Sequence, residues 1–195
     1  MLENKIQIND IHDRKDYANL RGQLRKDIVS RKRKRRIDVG PYVTLYFENK
    51  DTIIHQINEM VFIENGGIEQ IKEEIEAYKS LVPNGKELIA TVMVEIDSPL
   101  KRAEALSNMG GFEETFKFRL GDHLVEGKAE LDVDRTTAEG KASSVQFVHF
   151  EFTDDQIKMF KDDNIKIELS INHKTYSHST TILNETKVEL GNDFS

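Results

Sequence analysis

With 195 residues, 37% of them hydrophobic, and only three prolines, the chain is long enough to bury roughly two-thirds of its unfolded surface as one domain and is too apolar to remain disordered. It has no cysteine, which excludes disulfides, thiolate zinc sites, cysteine-ligated iron–sulfur clusters and a cysteine nucleophile. The formal net charge of −7 conceals an asymmetry: from Arg14 to Arg36 eleven Lys/Arg stand against two Asp/Glu, while the remaining residues hold seventeen basic against thirty-three acidic side chains.

The N-terminus, Met1 to Ile6, lacks the apolar core of a signal peptide, and no run of about eighteen apolar residues occurs, so a cytoplasmic location without membrane contact is expected. From Asn9-Asp10 onward, Tyr17, Leu20, Leu24 and Ile28 recur at helical spacing, predicting an amphipathic helix that ends near Ser30. The run Arg31, Lys32, Arg33, Lys34, Arg35 and Arg36 continues from its C-terminal end, where cations interact favourably with the helix dipole.

Gly40-Pro41 marks a turn, and Val43 to Phe47 reads as a strand. Thr52 then caps a predicted helix with Ile53, Ile54, Ile57, Met60 and Val61 on one face, closed by Gly66-Gly67; a second helix carries Ile68, Ile71, Ile75, Tyr78 and Leu81 as far as Pro83. After Gly85 the period becomes two. Leu88 to Ile96 predicts a strand covered on both faces, Ser98-Pro99 opens a short helix, and Phe116, Phe118 and Leu120 alternate with cations. Ala129, Leu131 and Val133 alternate with acids in the same way. Residues 144–152 are apolar on both faces and belong mid-sheet, Thr153 with Gln156 forms a capping box, residues 165–171 and a partner running to Ile182 complete the strands, and Asn184 caps a last helix.

These signals predict a single α+β domain over 1–195: a mixed or antiparallel sheet of about five or six strands, with a helical N-terminal region (1–85) packed on a mainly strand part (86–195).

Six adjacent cations, Arg31 to Arg36, are the first candidate site, because such a run can meet an acidic protein surface or neutralise nucleic-acid phosphates. No aromatic stacking platform interleaves with them, so a protein partner or a second copy of the chain is preferred over nucleic acid. His55 and Glu59 stand one helical turn apart but point away from the apolar face, which predicts a solvent-side hydrogen bond rather than a metal pair. A His/carboxylate-bound metal ion is the only inorganic cofactor the composition leaves open, with His123, His149 and His173 as ligand candidates and Glu59 or Asp122 as carboxylates. Asp132 and Asp134 share a strand face in a segment that alternates as an exposed surface would. Nucleophile elbows and glycine-rich phosphate loops are absent, which leans the reading away from an enzyme.

Arg35-Arg36-Ile37 with Gly40-Pro41, Thr44 to Glu48, Thr52-Ile53, Gln56 to Met60, Leu81 to Gly85, Gly121-Asp122-His123, Ser143 to Val145, Phe150 to Phe152 and His173 with Tyr176 together resemble an uncharacterised bacterial family, domain-of-unknown-function family 3501, over nearly the whole chain. The resemblance implies no established activity, fold or ligand set. It does imply a genomic setting beside rubrerythrin-like and iron–sulfur proteins, and hence an accessory role in peroxide or redox handling. The chain departs from the family pattern at Gln146, where a His is usual, and at Lys174, where a Pro is usual; both weaken a histidine site.

Overall fold

The basic run leads out of a helix directly into a sheet. The computed structural model describes residues 5–130 and 141–195, which form six α-helices and eight strands. In chain order these are α1 (Arg14–Lys34), β1 (Arg36–Val39), β2 (Val43–Glu48), α2 (Lys50–Ile63), α3 (Ile68–Tyr78), β3 (Glu87–Val94), α4 (Pro99–Ser107), β4 (Phe116–Leu120), β5 (His123–Ala129), β6 (Val145–Glu151), α5 (Asp154–Lys161), β7 (Ile167–His173), β8 (Tyr176–Thr181) and α6 (Asn184–Gly191). Asp132 and Asp134 lie outside the described residues.

All eight strands belong to one sheet in the order β1-β2-β3-β6-β5-β4-β7-β8, and every neighbouring pair is antiparallel. The sheet rolls into a nearly closed barrel. This corrects the expected five- or six-stranded sheet under an N-terminal helical region: β1 and β2 lie within the first part of the chain, and α4, α5 and α6 follow β3. The physical reasons are local. β1 is only four residues long and opens on the last arginine of the basic run, and β5 hides its buried Val125 and Gly127 among His, Glu and Lys.

Alternation within each strand sends one set of side chains inward. Val43, Leu45, Phe47, Leu88, Ala90, Val92, Phe116, Phe118, Leu120, Val148, Phe150, Leu169 and Ile171 join one buried cluster. Eight strands enclose a space that side chains just fill. The rings of Phe47, Phe118 and Phe150 occupy it with centroids 4.7–6.3 Å apart. Phe160 of α5 with Leu190 and Phe194 in and beyond α6 close one end, while Leu106 of α4 with Met109 and Phe112 beyond it close the other.

A second cluster lies outside the barrel, where Ile89 of β3 meets Ile53, Ile57 and Val61 of α2 and Ile71 of α3. This gives β3 the two covered faces that its unbroken apolar run predicts. α2 is fixed at its start by a capping box in which Asn49 accepts from the Thr52 N–H and Thr52 accepts from the Asn49 N–H. The buried Glu48 carboxylate accepts from the hydroxyls of Thr52 and Thr91, joining helix to sheet.

Between β1 and β8 the barrel closes without a hydrogen-bonded ladder. Tyr176 bridges the seam instead: its Oη donates to the Val39 carbonyl at 2.6 Å and accepts from the Tyr42 N–H at 3.3 Å. Gly40 makes the approach possible, because its φ is +73° and a Cβ there would lie 2.4 Å from the Tyr176 hydroxyl.

Candidate functional site

The six cations of the basic run have different fates. Arg31 to Lys34 form the last turn of α1, Arg35 is its C-cap and Arg36 begins β1. Arg31 pairs with Asp51 of α2, Lys34 with Glu185 of α6 at 3.1 Å, and Arg36 with Asp38 at 2.9 Å while its guanidinium lies over the Tyr46 ring. Arg35 is 1% exposed. Its Nε donates to the Phe47 carbonyl, Nη2 to the Glu48 carbonyl and Asp193, and Nη1 to Asp193 and Glu189. All five N–H donors of the guanidinium are therefore spent inside the fold. Lys32 and Arg33 make no ion pair among the described residues.

The basic surface that remains runs the length of α1. Lys15, Arg25, Lys26, Lys32 and Arg33 make no ion pair among the described residues, and at about 100° per residue Lys15, Lys26 and Arg33 fall within about 20° of one another on the outward side. Val29, 66% exposed, lies beside them, as do the small exposed residues Ala18 and Gly22. Of the 21 residues of this helix, only Tyr17 and Ile28 are buried.

On its inner side α1 lies antiparallel over the polar face of α2. Tyr17 Oη donates to Glu59 Oε1 at 2.7 Å, and Arg21 grips the same carboxylate with Nε at 2.8 Å and Nη2 at 2.9 Å. The Arg21 guanidinium also covers the Phe62 ring. His55 stands with its Nδ1 3.5 Å from Tyr17 Oη, whose proton is already committed to Glu59. Burial, helped by the Glu59 carboxylate, pushes the Tyr17 phenol well above its ordinary value. Burial holds His55 below its usual range, with the charges of Lys32, Arg25 and Arg21 acting in the same direction and Glu59 opposing. Hydrogen bonds from Arg21 and Tyr17 bring Glu59 down to about 2.

His55 and Glu59 thus face α1, and the expected solvent-side contact is replaced by a half-buried network. The sequence signal for it was available as two matching pairs, Tyr17 with Arg21 and His55 with Glu59, each one turn apart on helices that pack antiparallel. Because Glu59 binds its proton more weakly in the folded chain than in the unfolded one, the stability it contributes is fully present above its ordinary value of 4.5 and is lost as pH falls through about 2. Glu59→Gln is expected to remove the pH dependence of stability within that window and to lower stability by a constant amount above it, as read from urea denaturation followed by helical circular dichroism at each pH.

The metal-ligand candidates do not share a place. Asp122 and His123 are exposed at the β4–β5 turn. His149 sits half-buried on β6 with Nδ1 3.3 Å from Glu87. His173 is buried at the barrel's other end, where Nε2 donates to the Gly110 carbonyl at 3.2 Å and Nδ1 meets Thr175. Glu59 is held by Arg21. Among the described residues, no group of three or more His, Asp or Glu is arranged to hold a metal ion. Nor is any helix among them long and apolar enough to cross a membrane.

The family model described as protein of unknown function (DUF3501) matches residues 5–194. The chain belongs to that family. A crystal structure of a novel protein of unknown function from Burkholderia pseudomallei K96243 is similar throughout: it is 28% identical, the match covers 98% of this chain and 100% of that one, and the TM-score is 0.90. No curated protein matches the sequence. The DUF3501 chain therefore carries a fold shared with a solved relative whose function is likewise not established.

Proposed function

We propose that this DUF3501 protein is an accessory, protein-docking module that presents the outward face of α1 to an acidic protein surface. The observation that carries this reading is a 21-residue helix that buries two side chains and whose outward side holds Lys15, Lys26 and Arg33 without an ion pair among the described residues. A helix so polar on nearly every side gains little from the core beneath it, and its exposed charge suits it to bridge two bodies. Exposed Val29, beside the small residues Ala18 and Gly22, gives an approaching partner an apolar point to bury within a cationic rim. An acidic protein fits better than nucleic acid because the chain as a whole is at −7 and the tyrosine of α1 is buried, leaving no ring for a base to stack on.

Lys15, Lys26 and Arg33 are exposed and make no ion pair among the described residues, so changing all three to Glu is expected to leave the fold intact. A photoreactive residue at Ala18 in the native host is expected to crosslink an acidic protein. That purified protein should then bind the chain with an association rate that falls as salt rises and drops about tenfold or more in the triple variant. Binding of the purified pair that is indifferent to both salt and charge reversal overturns the proposal, as does a crosslink to nucleic acid alone.

A further inference from the structure

The inner side of α1 carries a second feature, independent of the docking face. The helix is braced on α2 at two places, by Tyr17 and Arg21 on Glu59 and by Arg31 on Asp51. Between these braces lies a cleft of about 270 Å³. Leu24, Ile28 and Ile54 give it apolar walls, and Tyr17 and His55 stand at one side. Most of its polar groups are already engaged: Asn58 accepts from the His12 N–H and donates to the Ile54 carbonyl, and Asp27 accepts from Gln23. The two imidazoles are the exceptions among the described residues: the His12 ring only stacks on Tyr17, and His55 has no hydrogen-bond partner nearer than the Tyr17 hydroxyl at 3.5 Å.

We propose that this cleft binds a small organic anion, an aryl or short alkyl carboxylate, with its apolar body on Leu24, Ile28 and Ile54 and its charge between Arg31 and His55. Size follows from volume, since the cleft falls just below the roughly 300–1,000 Å³ of pockets that take drug-sized molecules. Charge follows from the surroundings. Asp51 is paired with Arg31, and Asp27, which accepts from Gln23, keeps its charge; against it stand Arg25 and Lys32 of α1, which act on His55 and have no carboxylate partner among the described residues. The Arg31–Asp51 pair is about half exposed on both sides, so exchanging Asp51 for a ligand carboxylate costs little. The planar guanidinium is also suited to grip a carboxylate through two donors.

Phenylacetate is the probe, with phenethylamine as its cationic counterpart, in a two-dimensional amide NMR titration of the full chain. Phenylacetate is expected to give saturable shifts centred on Leu24, Ile28, Ile54 and His55, and phenethylamine none. Ile54→Trp, which fills the cleft, is expected to weaken binding by roughly tenfold or more, and Arg31→Gln several-fold. Leu24→Phe provides a second filled cleft should the tryptophan disturb folding. The absence of saturable shifts with phenylacetate overturns the proposal, as do shifts that survive unchanged in both filled variants. Equal binding of the amine overturns the assignment of charge.

Discussion

Replacing Arg35 by methionine is expected to destabilise the protein by about 3–5 kcal/mol, the usual cost of removing one member of a buried ion pair. The loss has several parts. Asp193 and Glu189 lose their cation, and the carbonyls of Phe47 and Glu48 lose their donors where water does not reach them. Burial already holds the Asp193 carboxyl above its ordinary value despite the guanidinium beside it, so that carboxylate is poorly placed to stand alone. Lysine is not a rescue, because three donors on one nitrogen cannot serve five acceptors spread around a planar fork. Urea denaturation followed by circular dichroism measures the difference. An Arg33→Met control is expected to change stability by less than about 0.5 kcal/mol, since Arg33 is exposed and makes no ion pair among the described residues.

Phe118→Ala is expected to cost about as much, roughly 3–5 kcal/mol, by a different mechanism. Its ring sits at the centre of the barrel, touching Phe47, Phe150, Phe152 and Phe160, and is fully buried. Strands fixed by ladders on both edges cannot collapse inward to fill the void, so the alanine leaves a cavity as well as losing transfer energy. The two substitutions are coupled, because Arg35 holds the Phe47 carbonyl whose ring packs on Phe118. The double variant is therefore expected to lose less than the sum of the single losses in the same urea experiment.

Local signals in the sequence carried most of the secondary structure. Ser98 caps α4 with Pro99 at its first position, and Thr153 with Gln156 forms the capping box of α5 as their spacing predicts. The two-faced apolar run of β3 is matched by a barrel core on one side and α2 on the other. What was not legible depends on contacts between distant residues. Nothing local separates Arg35 from Arg33, yet one is sealed in the protein and the other faces water. The difference is that α1 ends at Lys34, and the next residue turns its side chain inward toward α6. Barrel closure was hidden for the same reason, since it rests on Tyr176 reaching Val39 across 137 positions of sequence. At the candidate sites the neighbours were not legible: His55 and Glu59 stand one turn apart on α2, and only the docking of α1 decides what they meet.

The Arg35 clamp joins residue 35 to residue 193. During synthesis the arginine leaves the ribosome long before its carboxylate partner exists, and a loop of nearly the whole chain must close before the charge is neutralised. The turn from α1 into β1 therefore gains its buried ion pair only once residues 189 and 193 have been made and brought back to it, a contact of long sequence separation.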